Sequence, residues 1–131
     1  MNKSVSKIPC TINNFFKYWL LFTAPIHRLP AKDLEILSYI LKKRYELSKI
    51  VVDDAKVDTF LFSTEIRDEI IEEHGITKNS LQVTLSHLRK AGILEAGDKI
   101  NKRLIPNLSK DSKRFDLMLL FDIQEDVTEK D

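Results

Sequence analysis

With 131 residues, 43% of them hydrophobic and 31% charged, the chain has the size and balance of one globular domain around a single core. One cysteine excludes an internal disulfide and a zinc site built on cysteine pairs, and three glycines are too few for a Gly-rich phosphate loop. The net charge of +1 hides an asymmetry: residues 77–114 carry nine basic and three acidic side chains, whereas 115–131 carry six acids and one lysine.

Residues 1–14 read as a polar arm, without the apolar run of a signal peptide. No apolar stretch anywhere approaches the roughly 20 residues that span a bilayer. Phe15, Phe16, Tyr18, Trp19 and Phe22 then place five of the eleven aromatic residues within eight positions, and the spacing of 15, 18/19 and 22 puts them on one helical face. Pro25 and Pro30 close this segment, because the residue before a proline is steered away from helix. The aromatic face either packs on the chain's own core or forms a partner interface, where Trp and Tyr are favoured.

A long helix is expected over about 31–47. Pro30 suits its first turn, Asp33 and Glu35 suit the positive end of its dipole, and Leu34, Leu37, Ile40 and Leu41 form an apolar stripe. Residues 50–58 read as a loop, and 59–62, Thr-Phe-Leu-Phe, as a short strand. Ser63 caps a helix over about 64–74, which Gly75 ends; Thr77 caps the next, over about 78–91, where Leu81, Leu85 and Leu88 recur on one side before Gly92. Two amphipathic helices joined across so short a turn form a helix-turn-helix. Segments 93–95 and 103–105 flank 96–102 as a β-hairpin with a basic tip of Lys99, Lys102 and Arg103. Residues 115–123 alternate with period two and predict a strand that is apolar on both faces at its centre. Residues 124–131 form an acidic tail.

The expected fold class is thus mainly α with a small β component (α+β). It comprises an arm and aromatic helix over 1–28, a central domain over 29–108, and a strand and acidic tail over 109–131. The central order of helix, short strand, helix, turn, helix and hairpin resembles the winged helix-turn-helix family. The resemblance is most specific in FSTEIRDEIIEEHGITKNSLQVTLSHLRKAGILEAGDKINKRLIPNL, where SLQVTLSHLRKAGIL is similar to the family's third helix and its exit into the wing.

This resemblance implies that the third helix enters the major groove of duplex DNA while the wing meets phosphates. Off the leucine stripe, the groove-facing candidates are Lys78, Asn79, Gln82, Ser86 and Arg89, with Lys90 near the helix end. Asn and Gln can pair with adenine, and Arg and Lys with guanine. Lys99, Lys102 and Arg103 are the candidate backbone contacts, which supply affinity rather than sequence preference. Thr77 and the first amides of that helix are placed to hold a phosphate. The chain from FFKYWLLFTAPIHRLPAKDLEILSYILKKR onward is also similar to small winged-helix proteins of large tailed bacteriophages. That likeness implies the alternative of a virion connector or ring component near the portal, with the domain serving as a protein–protein module.

Catalysis is not expected. His27, His74 and His87 fall in different elements without HxxxH or HExxH spacing, Glu72 and Glu73 read as a solvated helix face, and Cys10 has no nearby histidine. No cofactor, metal, membrane or small-molecule substrate is implied. The expected setting is the cytoplasm of a bacterial cell or phage-infected host, or a virion under the alternative, with a protein partner or self-association in either case.

Overall fold

The computed structural model of the chain describes residues 4–109, 111 and 113–125. These form α1 (Ile12–Phe22), α2 (Ala24–His27), α3 (Ala31–Ser48), α4 (Asp54–Leu61), α5 (Thr64–His74), α6 (Lys78–Lys90), strands β1 (Leu94–Glu95) and β2 (Lys99–Ile100), and a 3-10 turn at Lys102–Leu104. The protein is mainly helical with one small two-stranded antiparallel sheet, an α+β arrangement.

Helix α3 is the centre of the assembly. Ile36, Leu37, Ile40 and Leu41 are buried, and α1, α4, α5 and α6 all pack against this helix. Leu81, Leu85 and Leu88 of α6 and Ile70 of α5 complete the same core, with Leu34 and Ile66 half-buried at its margin. Helix α1 adds Phe16 and Leu20, and the indole Nε1 of Trp19 donates to the Leu104 carbonyl at 2.9 Å, tying the first helix to the turn after the hairpin. The aromatic helix α1 ends at Phe22, just before Pro25, which opens a new short helix. Pro25 occupies the first turn of α2, where its missing N–H costs no hydrogen bond. His27 is buried at the end of α2. Its Nδ1 accepts from the Leu29 amide at 3.1 Å, which leaves Nε2 to donate to the Leu20 carbonyl at 2.8 Å.

The strand expected at 59–62, and most of the loop before it, are helix α4. Asp53 caps this helix by accepting from the Ala55 amide, Val57 and Leu61 bury one turn apart, and Arg44 of α3 donates to the buried Asp58 at 3.1 Å. Tertiary burial and an aspartate cap override the β preference of Thr59, Phe60 and Phe62. Helices α5 and α6 keep their expected bounds. Ser63 and Thr77 cap them through Ile66 N and Ser80 N, and Gly75 takes a φ of +58° to end α5.

The hairpin is shorter than expected. Its second strand is Lys99–Ile100, not 103–105, with Leu94 opposite Ile100 and Glu95 opposite Lys99. Gly97 (φ +80°) and Asp98 (φ +54°) adopt left-handed backbone and turn the chain at once, so that Ile100 reaches the core beside Leu94. The Asn101 side chain then accepts from the Arg103 amide and donates to the Gly92 carbonyl, starting the 3-10 turn. Lys102 and Arg103 therefore sit after the hairpin and not at its tip.

The strand expected at 115–123 is absent from the described residues: this stretch takes up neither helix nor strand. The sheet consists of two residues on each side, already paired with each other, and offers no ladder to a nine-residue segment. Phe115 is anchored edge-on to Phe15 and Trp19, with ring centroids 5.2 and 5.7 Å apart. The acidic tail expected beyond it lies outside the described residues after Glu125.

Candidate nucleic-acid interface

Helix α6 has two unlike sides because its leucines recur every three to four residues. Leu81, Thr84, Leu85 and Leu88 are buried against α3, α5 and the hairpin. At 100° per residue, Asn79, Val83, Ser86 and Lys90 point directly away from that core, with Lys78, Gln82 and Arg89 along one edge and Ser80 and His87 along the other. Lys78, Asn79 and Lys90 are exposed, Gln82 and Ser86 half-buried, and none of the five makes a side-chain hydrogen bond or ion pair among the described residues. Val83 stands at the centre of this polar surface with half of its area in solvent. Sequence reading passed over it because it is apolar; its position off the leucine stripe was the available signal.

Arg89 is not free. Its Nη2 donates to Asp98 Oδ1 at 3.1 Å, and Arg67 of α5 approaches the other oxygen of the same carboxylate at 3.7 Å. The left-handed backbone at Asp98 thus aims an acid back at α6, and one carboxylate holds two guanidiniums. This triad fixes the hairpin tip against the edge of α6 and leaves a net positive charge there. On the opposite edge, Lys32 of α3 donates to Ser80 Oγ at 2.9 Å, and His87 donates Nδ1–H to the buried Asp33 at 2.8 Å. Lys32, Arg67, Asp98 and the Asp33–His87 pair come from elements remote in sequence, which is why reading α6 alone missed them.

Among the wing candidates, Lys99 is exposed beside the tip, while Lys102 and Arg103 are exposed on the 3-10 turn, so the three do not form one basic tip. The Thr77 hydroxyl oxygen accepts from the Ser80 amide at 3.0 Å.

Of the aromatic candidates for a partner interface, Phe16 is buried, Phe15 and Trp19 are half-buried against the core, and Tyr18 and Phe22 are exposed. The face is divided between core and surface.

Away from α6, Glu69 of α5 accepts from Tyr39 Oη at 2.6 Å and is paired with Lys43. The hydrogen bonds from Lys43 and Tyr39 hold the Glu69 carboxyl below the usual carboxylate range, and the bond to Glu69 raises the Lys43 ammonium. Burial and then the Glu69 bond push the Tyr39 phenol up. Among the described residues no cluster of three metal-ligating side chains occurs, and no helix is long and apolar enough to cross a membrane. Comparison with protein-family models, curated proteins and solved structures gives no match to this chain.

Proposed function

We propose that the chain is a winged helix-turn-helix protein that binds duplex DNA, with α6 in the major groove and the β1–β2 hairpin beside the phosphate backbone. The observation that carries this reading is the outer side of α6. Lys78, Asn79, Gln82, Ser86 and Lys90 surround an exposed Val83 and bond to nothing in their own chain among the described residues. These are the side chains that read base edges: amides for adenine, ammonium groups for guanine, and an apolar contact for the thymine methyl. The succession of α3, α5, α6 and hairpin, with α5 and α6 joined across Gly75, supports the assignment, although α4 stands where the family has a short strand. Lys32, Arg67 and Lys99 from three other elements supply cations around the groove-facing side.

Fluorescence anisotropy with labelled duplexes at ~50 mM salt tests the proposal. Binding is expected, and its absence for every duplex overturns the reading. Lys99→Ala with Lys102→Ala should weaken binding to all sequences alike and reduce the salt slope by about 0.9 per lost phosphate contact. Gln82→Ala should instead relax preference at one base pair by about 1–3 kcal/mol. A second reading, an assembly component that uses the domain as a protein–protein module, is favoured by one observation: Met118, Leu120, Phe121 and Ile123 are exposed.

A further inference from the structure

The two ends of the chain are complementary in charge as well as in apolar surface. Before Asp33 there are five cations and no acid; from Phe115 onward there are six acids and one lysine. The N-terminal helices expose an apolar ridge of Tyr18, Leu21, Phe22 and Ile26, with Lys17 and Arg28 also exposed beside it. The C-terminal segment exposes Met118, Leu120, Phe121 and Ile123, with the acids Asp122 and Glu125. Phe115 already occupies Phe15 and Trp19, Phe22 follows them on that side of α1 at the i, i+4, i+7 spacing, and Ile26 is exposed on α2 just beyond it.

The segment does not cover the ridge of its own chain. Leu117 and Leu119 are 39% and 40% exposed, so the odd-numbered side is half-covered at first, but Phe121 and Ile123, next on that side, are 86% and 90% exposed. The chain leaves its own surface after Leu119 while Phe22 and Ile26 stay open. A donor segment and an acceptor ridge, both unsatisfied in one molecule and opposite in charge, are the two halves of a self-complementary contact. We infer that residues 117–125 of one copy dock on the α1–α2 ridge of a second copy, and that the second copy returns the same contact. Reciprocal exchange satisfies both sites with one two-fold axis, the isologous arrangement of homodimers. The acceptor side chains are those that the aromatic segment leaves outside the core, which gives Tyr18 and Phe22 a use that Phe16 and Trp19 do not share. This inference does not depend on DNA binding.

Sedimentation velocity of the full chain over a concentration series tests it. A dimer that dissociates with rising salt is expected, because exposed charge pairs are screened. Phe121→Ser with Ile123→Ser should be monomeric with an unchanged helical circular dichroism spectrum. A chain carrying Lys17→Glu and Arg28→Glu, and another carrying Asp122→Lys and Glu125→Lys, should each be monomeric alone. Mixed in equal amounts they should form a heterodimer, since each arm then meets a ridge of opposite sign. A wild-type chain that remains a monomer at every concentration overturns the inference, whether its segment folds on its own helix or serves another protein. So does a dimer that survives the Phe121 and Ile123 substitutions, or a pair of charge-reversed chains that fails to associate.

Discussion

On the side of α6 that faces α3, His87 meets Asp33 at 2.8 Å, and only 3% of the aspartate side chain is exposed. On the side that faces the hairpin, Arg89 meets Asp98 at 3.1 Å, with 35% of the aspartate side chain in solvent. The first carboxylate has His87 as its one side-chain partner among the described residues and little water to replace it. The second has two guanidiniums and ready access to water. Similar short contacts thus do different work: the buried pair holds α6 on α3, while the exposed triad sets the direction of Arg89 and adds little to stability.

The largest effect belongs to the core beneath both edges. Leu85→Ala should cost about 2–5 kcal/mol in a urea unfolding series, since Leu85 is fully buried between α6 and its neighbours. His87→Ala comes next, at about 1–3 kcal/mol, because it strands the buried Asp33 carboxylate. Adding Asp33→Ala should recover much of that loss; a double variant no better than the single would show that His87 acts through packing. Asp98→Asn, which removes the charge but keeps a side chain that tolerates the left-handed backbone, should change stability by less than about 1 kcal/mol. It should also tighten duplex binding, because Arg67 and Arg89 lose their carboxylate, and weaker binding by anisotropy would mean that Asp98 orients Arg89 for the groove.

The smallest effect concerns a third, half-exposed ion pair. Glu69 is held below its ordinary value by Lys43 and Tyr39. Its contribution is therefore present above the unfolded carboxylate value of about 4.3 and is lost as pH falls through the lower folded value. Glu69→Gln should lower the urea midpoint above that acid range, where the contribution is present, and flatten the midpoint's fall as pH drops through it.

Much of this comparison was legible from residues alone. The outward polar side of α6 followed from subtracting Leu81, Leu85 and Leu88 from a capped helix, and its ends followed from Thr77 and Gly92. The partners of those side chains were not legible, because Lys32, Asp33, Arg67 and Asp98 come from α3, α5 and the hairpin. Helix α4 was misread because Thr59, Phe60, Leu61 and Phe62 favour strand locally. The opposing signals, Asp53 as a cap and Val57 with Leu61 one turn apart, gain force only once α3 is beside them.

By itself the sequence determined α3, through Pro30 and its apolar period, and α5 and α6, whose apolar period agrees with the caps Ser63, Gly75 and Thr77. Capping and periodicity are local, acting over three or four residues, so no distant contact is needed to read them. Only the tertiary structure decided which of the aromatic residues are core, where the hairpin closes, and that 115–123 is left without a strand partner. A β-prone segment becomes a strand only when another backbone supplies its hydrogen bonds, and that partner is a property of the fold and not of the segment.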